Sequence, residues 1–169
     1  MTDTHSSRLE VPDRRELLVA LAFVVGVNAI GSAPALLGGP ESAWFQALEK
    51  PAFYPPGWLF GVVWTLLFTL MGLACYLVYR RGLERRSVRV ALGVFAVQLA
   101  VNVAWTPTFF TLQALLAALV VLAVLVVLVA ATIVAFARVD RRAAALLVPY
   151  LAWVGFATFL NYAIWDLNA

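Results

Sequence analysis

The sequence is poor in the groups that most protein chemistry draws on. One cysteine, Cys75, excludes an internal disulfide, and with one histidine, His5, it removes most metal chemistry, since a zinc or haem-iron site normally draws on several such ligands. Charged residues make up only 12% of the 169-residue chain and hydrophobic residues 64%, with a mean hydropathy of +0.93. One core cannot hide that much apolar surface from water, so the chain reads as an all-α polytopic membrane protein, with almost every residue embedded. No Asp, Glu, Lys or Arg falls in the middle of a long apolar run, which argues against the buried ionisable relay of a proton pump or ion-coupled carrier. No internal repeat is visible, which weakens the inverted-repeat transporter architecture. The net charge of +3 comes from arginines clustered between apolar runs. There they set topology and meet anionic headgroups, and no basic face with interleaved aromatics points to nucleic acid.

What is present is a succession of apolar runs. Residues 1–16 are polar and read as a cytoplasmic tail, after which residues 17–37, 57–79, 88–105, 109–136 and 143–165 predict five spanning helices, with 166–169 as a short tail. A cleaved signal peptide is the competing reading of the first run, because Ala33-Pro34-Ala35 resembles a small-x-small site. The length of the run and the proline inside that site favour a retained helix. Residues 41–56 predict an interfacial segment: Trp44, Phe45 and Leu48 share a helical face, Pro51 ends it, and Tyr54-Pro55-Pro56 enforces extended backbone before the second span. Five crossings place eleven arginines on the side of the N-terminus and Lys50 alone on the other. The positive-inside rule then predicts a cytoplasmic N-terminus and a C-terminus on the opposite side of a prokaryotic-type cell membrane.

Polar groups inside lipid are costly without partners, so the few present carry information. They are Asn28 in the first helix, Gln98 and Asn102 in the third, and Asn161 in the fifth. Gln98, Asn102 and Trp105 are spaced i, i+4, i+7 and share one face, and Pro149, Trp153, Ala157 and Asn161 form a second stripe at intervals of four. Two readings stand: the stripes line one ligand pocket, or the amides bond across helices as glue while the indoles pack. Ala96, Ala100 and Ala104 make a small-residue face on the third helix, where two copies of the chain can approach closely as a homodimer.

Several blocks carry a resemblance. Trp44-Phe45 with Lys50-Pro51, Pro55-Pro56-Gly57-Trp58, Val63-Trp64-Thr65, the run from Asn102-Val103-Ala104-Trp105 to Phe109-Phe110, and that from Pro149-Tyr150 through Trp153 and Ala157 to Asn161 resemble the TspO/MBR family of tryptophan-rich sensory proteins. The resemblance implies a five-helix transmembrane bundle, often dimeric, that binds porphyrins such as protoporphyrin IX and, in animal members, cholesterol and synthetic drugs. It implies a pocket drawn from Trp58, Asn102, Trp105, Trp153 and Ala157, to which the second stripe adds Asn161. A loop carrying Trp44, Phe53 and Tyr54 would cover it. No cofactor is implied, the porphyrin being a ligand held without iron ligation. Light- and oxygen-dependent porphyrin breakdown, or porphyrin or lipid transport, are the alternative activities. Two departures stand out. Val62 replaces a proline that often precedes Val-Trp, and Phe68 a tyrosine, which predicts an unkinked second helix lacking one hydroxyl. In the sterol-type motif of the last helix, Asp166 stands where a basic residue is needed.

Overall fold

The computed structural model describes residues 13–169. Residues 1–12, most of the predicted tail with His5 and Arg8, lie outside it, while Arg14 to Glu16 already form the first turn of a helix. The described chain has no strand and consists of α1 (Arg14–Ser32), α2 (Ala43–Ala47), α3 (Gly57–Tyr79), α4 (Arg86–Thr106), α5 (Leu115–Ala137), α6 (Arg141–Leu146) and α7 (Val148–Asn168). With their helical extensions they provide five segments long and apolar enough to cross a membrane.

The prolines decide where these segments deviate from simple rods. Pro34 sits in a 3-10 turn, Ala33–Leu36, that prolongs α1. The third span does not end at residue 105, where the sequence predicts, but runs on through Pro107 to Thr111. Having no N–H to place in the ladder, Pro107 opens a π turn, Pro107–Thr111, closed by Leu112 N donating to Pro107 O at 2.9 Å. Phe109 and Phe110 therefore lie in the π turn that prolongs α4, and α5 begins only at Leu115, after Gln113 in the left-handed region (φ 55°). Pro149 divides the predicted fifth helix into α6 and α7 at Leu147, because its ring and missing N–H cannot continue the α6 ladder. In α3, with Val62 rather than proline, the helix is continuous from Gly57 to Tyr79.

At one end of the bundle α4 packs on α5, α5 on α7, α1 on α3, and α6 fills the space between α3 and α5. The main core, which includes Met71, Val78, Leu125, Val129, Phe136 and Val154, lies here. Asp140 joins the two loops of this end. Its carboxylate accepts from Arg81 Nε at 3.0 Å and Nη2, and caps α6 by accepting from Arg142 N at 2.8 Å. Burial pushes the Asp140 carboxyl up. The Arg81 hydrogen bonds and charge, with the Arg142 and Ala143 N–H groups, outweigh it and hold the pKa below the usual carboxylate range. The stabilisation is then present above the unfolded carboxylate value, near ~4, and lost as pH falls through the depressed native value. Asp140→Ala should cost about 1–2 kcal/mol at neutral pH, most of it the lost cap since Arg81 is half exposed. It should also flatten the acid limb of melting temperature against pH; an unchanged acid limb would refute the assignment.

At the other end a smaller cluster gathers Phe45, Phe109, Ala118, Leu160 and Ile164. Here α3 stands apart from α7, and bulky aromatics bridge the gap: Phe60 meets Trp153 at 5.8 Å and Phe53 stacks on Phe159 at 5.2 Å between ring centroids. Ala96, Ala100 and Ala104 all lie on the exposed outer face of α4.

Candidate functional site

The separation of α3 from α7 leaves a cavity of about 480 Å³ within the bundle, a size typical of small-molecule sites. Trp64 and Phe60 from α3, Trp105 from α4 and Trp153 from α7 supply aromatic walls, and Ala157 keeps one wall low. Phe45 and Tyr54 form the roof. Burial pushes the Tyr54 phenol up, so it stays neutral over the physiological range.

The roof is held by its own chain and by the end of α7. Ser42 caps α2 by accepting from Phe45 N at 3.3 Å. The Lys50 ammonium donates to the carbonyls of Phe45 and Leu48 at 2.9 and 3.1 Å and lies 4.7 Å over the Phe45 ring. Asn168 then clamps the segment from α7. Its Oδ1 accepts from Glu49 N and its Nδ2 donates to Glu49 O, both at 3.0 Å.

Of the residues the sequence proposes for the pocket, Asn102, Trp105, Trp153, Ala157 and Asn161 all border this cavity. Trp58 does not: it is 69% exposed on the outside of α3. Trp58 and Trp64 are six residues apart, about 120° around a helix, and the structure turns Trp64 inward. Trp64 stacks on Phe68 at 5.3 Å. In the covering loop, Tyr54 reaches the cavity, whereas Trp44 braces Phe109 edge-on at 5.9 Å and Phe53 lies outside against Phe159. Asn28, Phe60 and Trp64 border the cavity without having been assigned to it. The Val63-Trp64-Thr65 block was the signal for Trp64.

The polar groups divide by whether they are already used. Trp105 Nε1 donates to Asn161 Oδ1 at 3.2 Å, and Asn161 Nδ2 donates to Leu115 O at 3.0 Å. These two residues therefore tie α4, α5 and α7 together and act as glue. Tyr150 OH donates to Gln98 Oε1 and accepts from Asn102 Nδ2, both at 2.9 Å. Trp153 borders the cavity, and its Nε1 is buried with no partner among the described residues. A buried donor left unmatched costs free energy, and this N–H is itself closed off from the cavity that other atoms of the half-buried ring border. The walls can stack a flat apolar molecule and fix its edge with the Asn102 amide.

Residues 18–166 match the profile of the TspO/MBR family. The chain is 41% identical over 153 residues to the Tryptophan-rich protein TspO of Chlorobaculum tepidum, covering 89% of this chain and 97% of that one. It is 44% identical over 132 residues to the human Translocator protein, covering 77% and 78%. With the Tryptophan-rich sensory protein of Cereibacter sphaeroides it shares 40% identity over 148 residues, 88% and 90% of the two chains. The chain belongs to the TspO/MBR family. As a TspO/MBR protein with five apolar spans it is an integral, multi-pass membrane protein. TspO/MBR membership supports a membrane receptor or sensor role.

Proposed function

We propose that this protein is a membrane receptor or sensor that binds a flat, largely apolar tetrapyrrole of the protoporphyrin IX type in the intrabundle cavity, without ligating a metal. The observation that carries the reading is the cavity wall: three indoles, Trp64, Trp105 and Trp153, around one space that the Asn102 amide also borders. Indole faces stack on an extended π system, and a few polar groups fix its register. The cavity lies at the end opposite the arginine-bearing loops. The Arg81–Asp140 contact groups those loops, and the Asn168–Glu49 clamp groups the roof with the C-terminus. By the positive-inside rule the roofed end faces away from the cytoplasm.

The test is a titration of purified protein with protoporphyrin IX, followed by quenching of tryptophan fluorescence. Trp153→Ala should weaken binding by about tenfold, the loss of one stacked aromatic wall. Trp58→Ala should leave Kd at the parent value. Equal affinities for parent and Trp153→Ala would sink the pocket assignment. Repeating the titration under light and oxygen separates binding from photochemical breakdown, since an unaltered porphyrin absorption spectrum means binding alone.

A further inference from the structure

The cavity has a second boundary besides its roof, the seam between α1 and α3, and the two helices diverge along it. On α3 one stripe runs Gly72, Thr69, Thr65, Gly61, Trp58, in steps of three or four residues. At Gly72 it is buried, and a Cβ there would lie 2.6 Å from the Val24 Cα of α1. At Thr69 it is half-buried and accepts from Asn28 Nδ2 of α1 at 3.2 Å. At Thr65, Gly61 and Trp58 it is exposed, and a Cβ on Gly61 would meet nothing within 4 Å. The facing stripe of α1 changes in step, from half-buried Val24 and Asn28 to exposed Ser32 and Ala35.

The cause of the divergence is at the end of α1. Pro34 converts the last turn to 3-10 geometry, is itself buried, and packs the turn on α4. Thr111 Oγ1 of the π turn donates to Leu37 O at 3.3 Å, and Gly38 lies against Phe110. The top of α1 is thus drawn toward α4 and away from α3.

Among the described residues the opening carries no polar barrier. Ser32 Oγ donates to Asn28 O at 2.7 Å and Thr65 Oγ1 to Gly61 O at 2.8 Å, so both hydroxyls turn back on their own helices. Ser32, Ala35, Gly61 and Thr65 border the cavity while being exposed. Exposed Ile30, Val62 and Leu66 flank them, apolar residues whose surroundings in a membrane are acyl chains. The roof, by contrast, is fastened by the Asn168–Glu49 clamp and the Lys50 contacts.

We infer that ligand reaches the cavity sideways from the bilayer, through the α1–α3 seam above the Asn28–Thr69 bond, and not through the roof. This rests on the tetrapyrrole reading for its probe. A hydrophobic ligand concentrated in the bilayer then meets an apolar gap, and the roof need not open for it.

The experiment uses protein in vesicles with Cys75→Ala as background and protoporphyrin IX supplied in the lipid. In Ala35→Cys/Trp58→Cys, a short reducible bis-thiosulfonate bridge across the seam, made before ligand is added, should slow association at least about tenfold. The same bridge made after loading should slow release comparably, and reduction should restore both rates. A disulfide across the roof, Glu49→Cys/Asn168→Cys, should change neither. A seam bridge without effect on either rate, or slowing produced by the roof disulfide, would overturn the inference. If the unbridged protein fails to bind protoporphyrin IX, the tetrapyrrole reading falls and the seam is judged on a second measurement. Thr65→Cys should be modified by a maleimide confined to the bilayer, and more slowly once Gly61→Phe fills the rim. Equal rates, or no modification, would show the seam closed.

Discussion

Gly72→Val is expected to leave little folded protein. A side chain at this position points at backbone: its Cβ would come within 2.6 Å of Val24 Cα and 2.9 Å of both Phe23 O and Val24 N. Overpacking typically costs about 1–3 kcal/mol where neighbouring side chains can change rotamer. Backbone has no rotamer to change, so relief requires α1 to move off α3. That movement would uncover Val27 and Leu67 and stretch the Asn28–Thr69 hydrogen bond. The expected loss is therefore about 3 kcal/mol or more, at the severe end for a single substitution. Thermal unfolding in detergent, read with the monodisperse fraction on a sizing column, measures it. Gly61→Ala on the same stripe meets nothing within 4 Å and should melt like the parent. A parent-like melting temperature for Gly72→Val would mean that α1 and α3 are not locked at this point.

The contrast between Gly72 and Gly61 reflects how the molecule is divided along the membrane normal. One end is a closely packed aliphatic core, joined by Met71, Val78, Leu125 and Val129 and stapled by Asp140. The other is spread by indoles and phenyl rings that meet without filling the space, and it is closed by a roof segment of residues 41–56. The first end gives the second a rigid base. In lipid, where apolar burial drives little helix association, that rigidity comes from close packing at small residues and from cross-helix hydrogen bonds.

Much of this was legible in the sequence, and the parts that were not have specific causes. Five apolar runs of bilayer length announce five spans because a helix is the way a single apolar segment can satisfy its own backbone in lipid. The stripes Asn102–Trp105 and Trp153–Ala157–Asn161 follow from spacing within one helix, and both face the cavity. What spacing within a helix cannot supply is its rotation relative to its neighbours. Because α3 is apolar on every side, no amphipathic face records which side turns inward. Spacing alone therefore does not choose between Trp58, which the resemblance implies for the pocket, and Trp64, which borders the cavity. Nor can spacing reveal that Asn161 meets Trp105, a pairing between α7 and α4 that settles Asn161 as glue bordering the cavity. The prolines misled for another reason. A proline signals a lost hydrogen bond, but whether the helix stops, as at Pro149, or widens and continues, as at Pro107, depends on what its surroundings can re-satisfy.

Tyr150→Phe should cost about 2 kcal/mol, though it removes a single oxygen. Hydrogen bonds between membrane helices are often worth only about 0.6 kcal/mol, because the separated helices find other partners. Tyr150 differs in joining two amides at once, with Gln98 only 1% and Asn102 7% exposed. Without the hydroxyl, Gln98 Oε1 loses its donor while Gln98 Nε2 is already unpartnered, so the whole buried amide is left unmatched. An orphaned buried polar group costs roughly 1–3 kcal/mol, and this sets the scale. Asn102 borders the cavity and can turn its amide toward whatever occupies it, so most of the loss falls on Gln98. The double variant Tyr150→Phe/Gln98→Leu removes that orphan and should recover most of the stability lost by Tyr150→Phe alone. Unfolding in mixed detergent for the parent, both single variants and the double closes the cycle. If the two single losses simply add, the hydroxyl and the Gln98 amide are not coupled, and the link from α7 to α4 beside the ligand cavity is carried by packing alone.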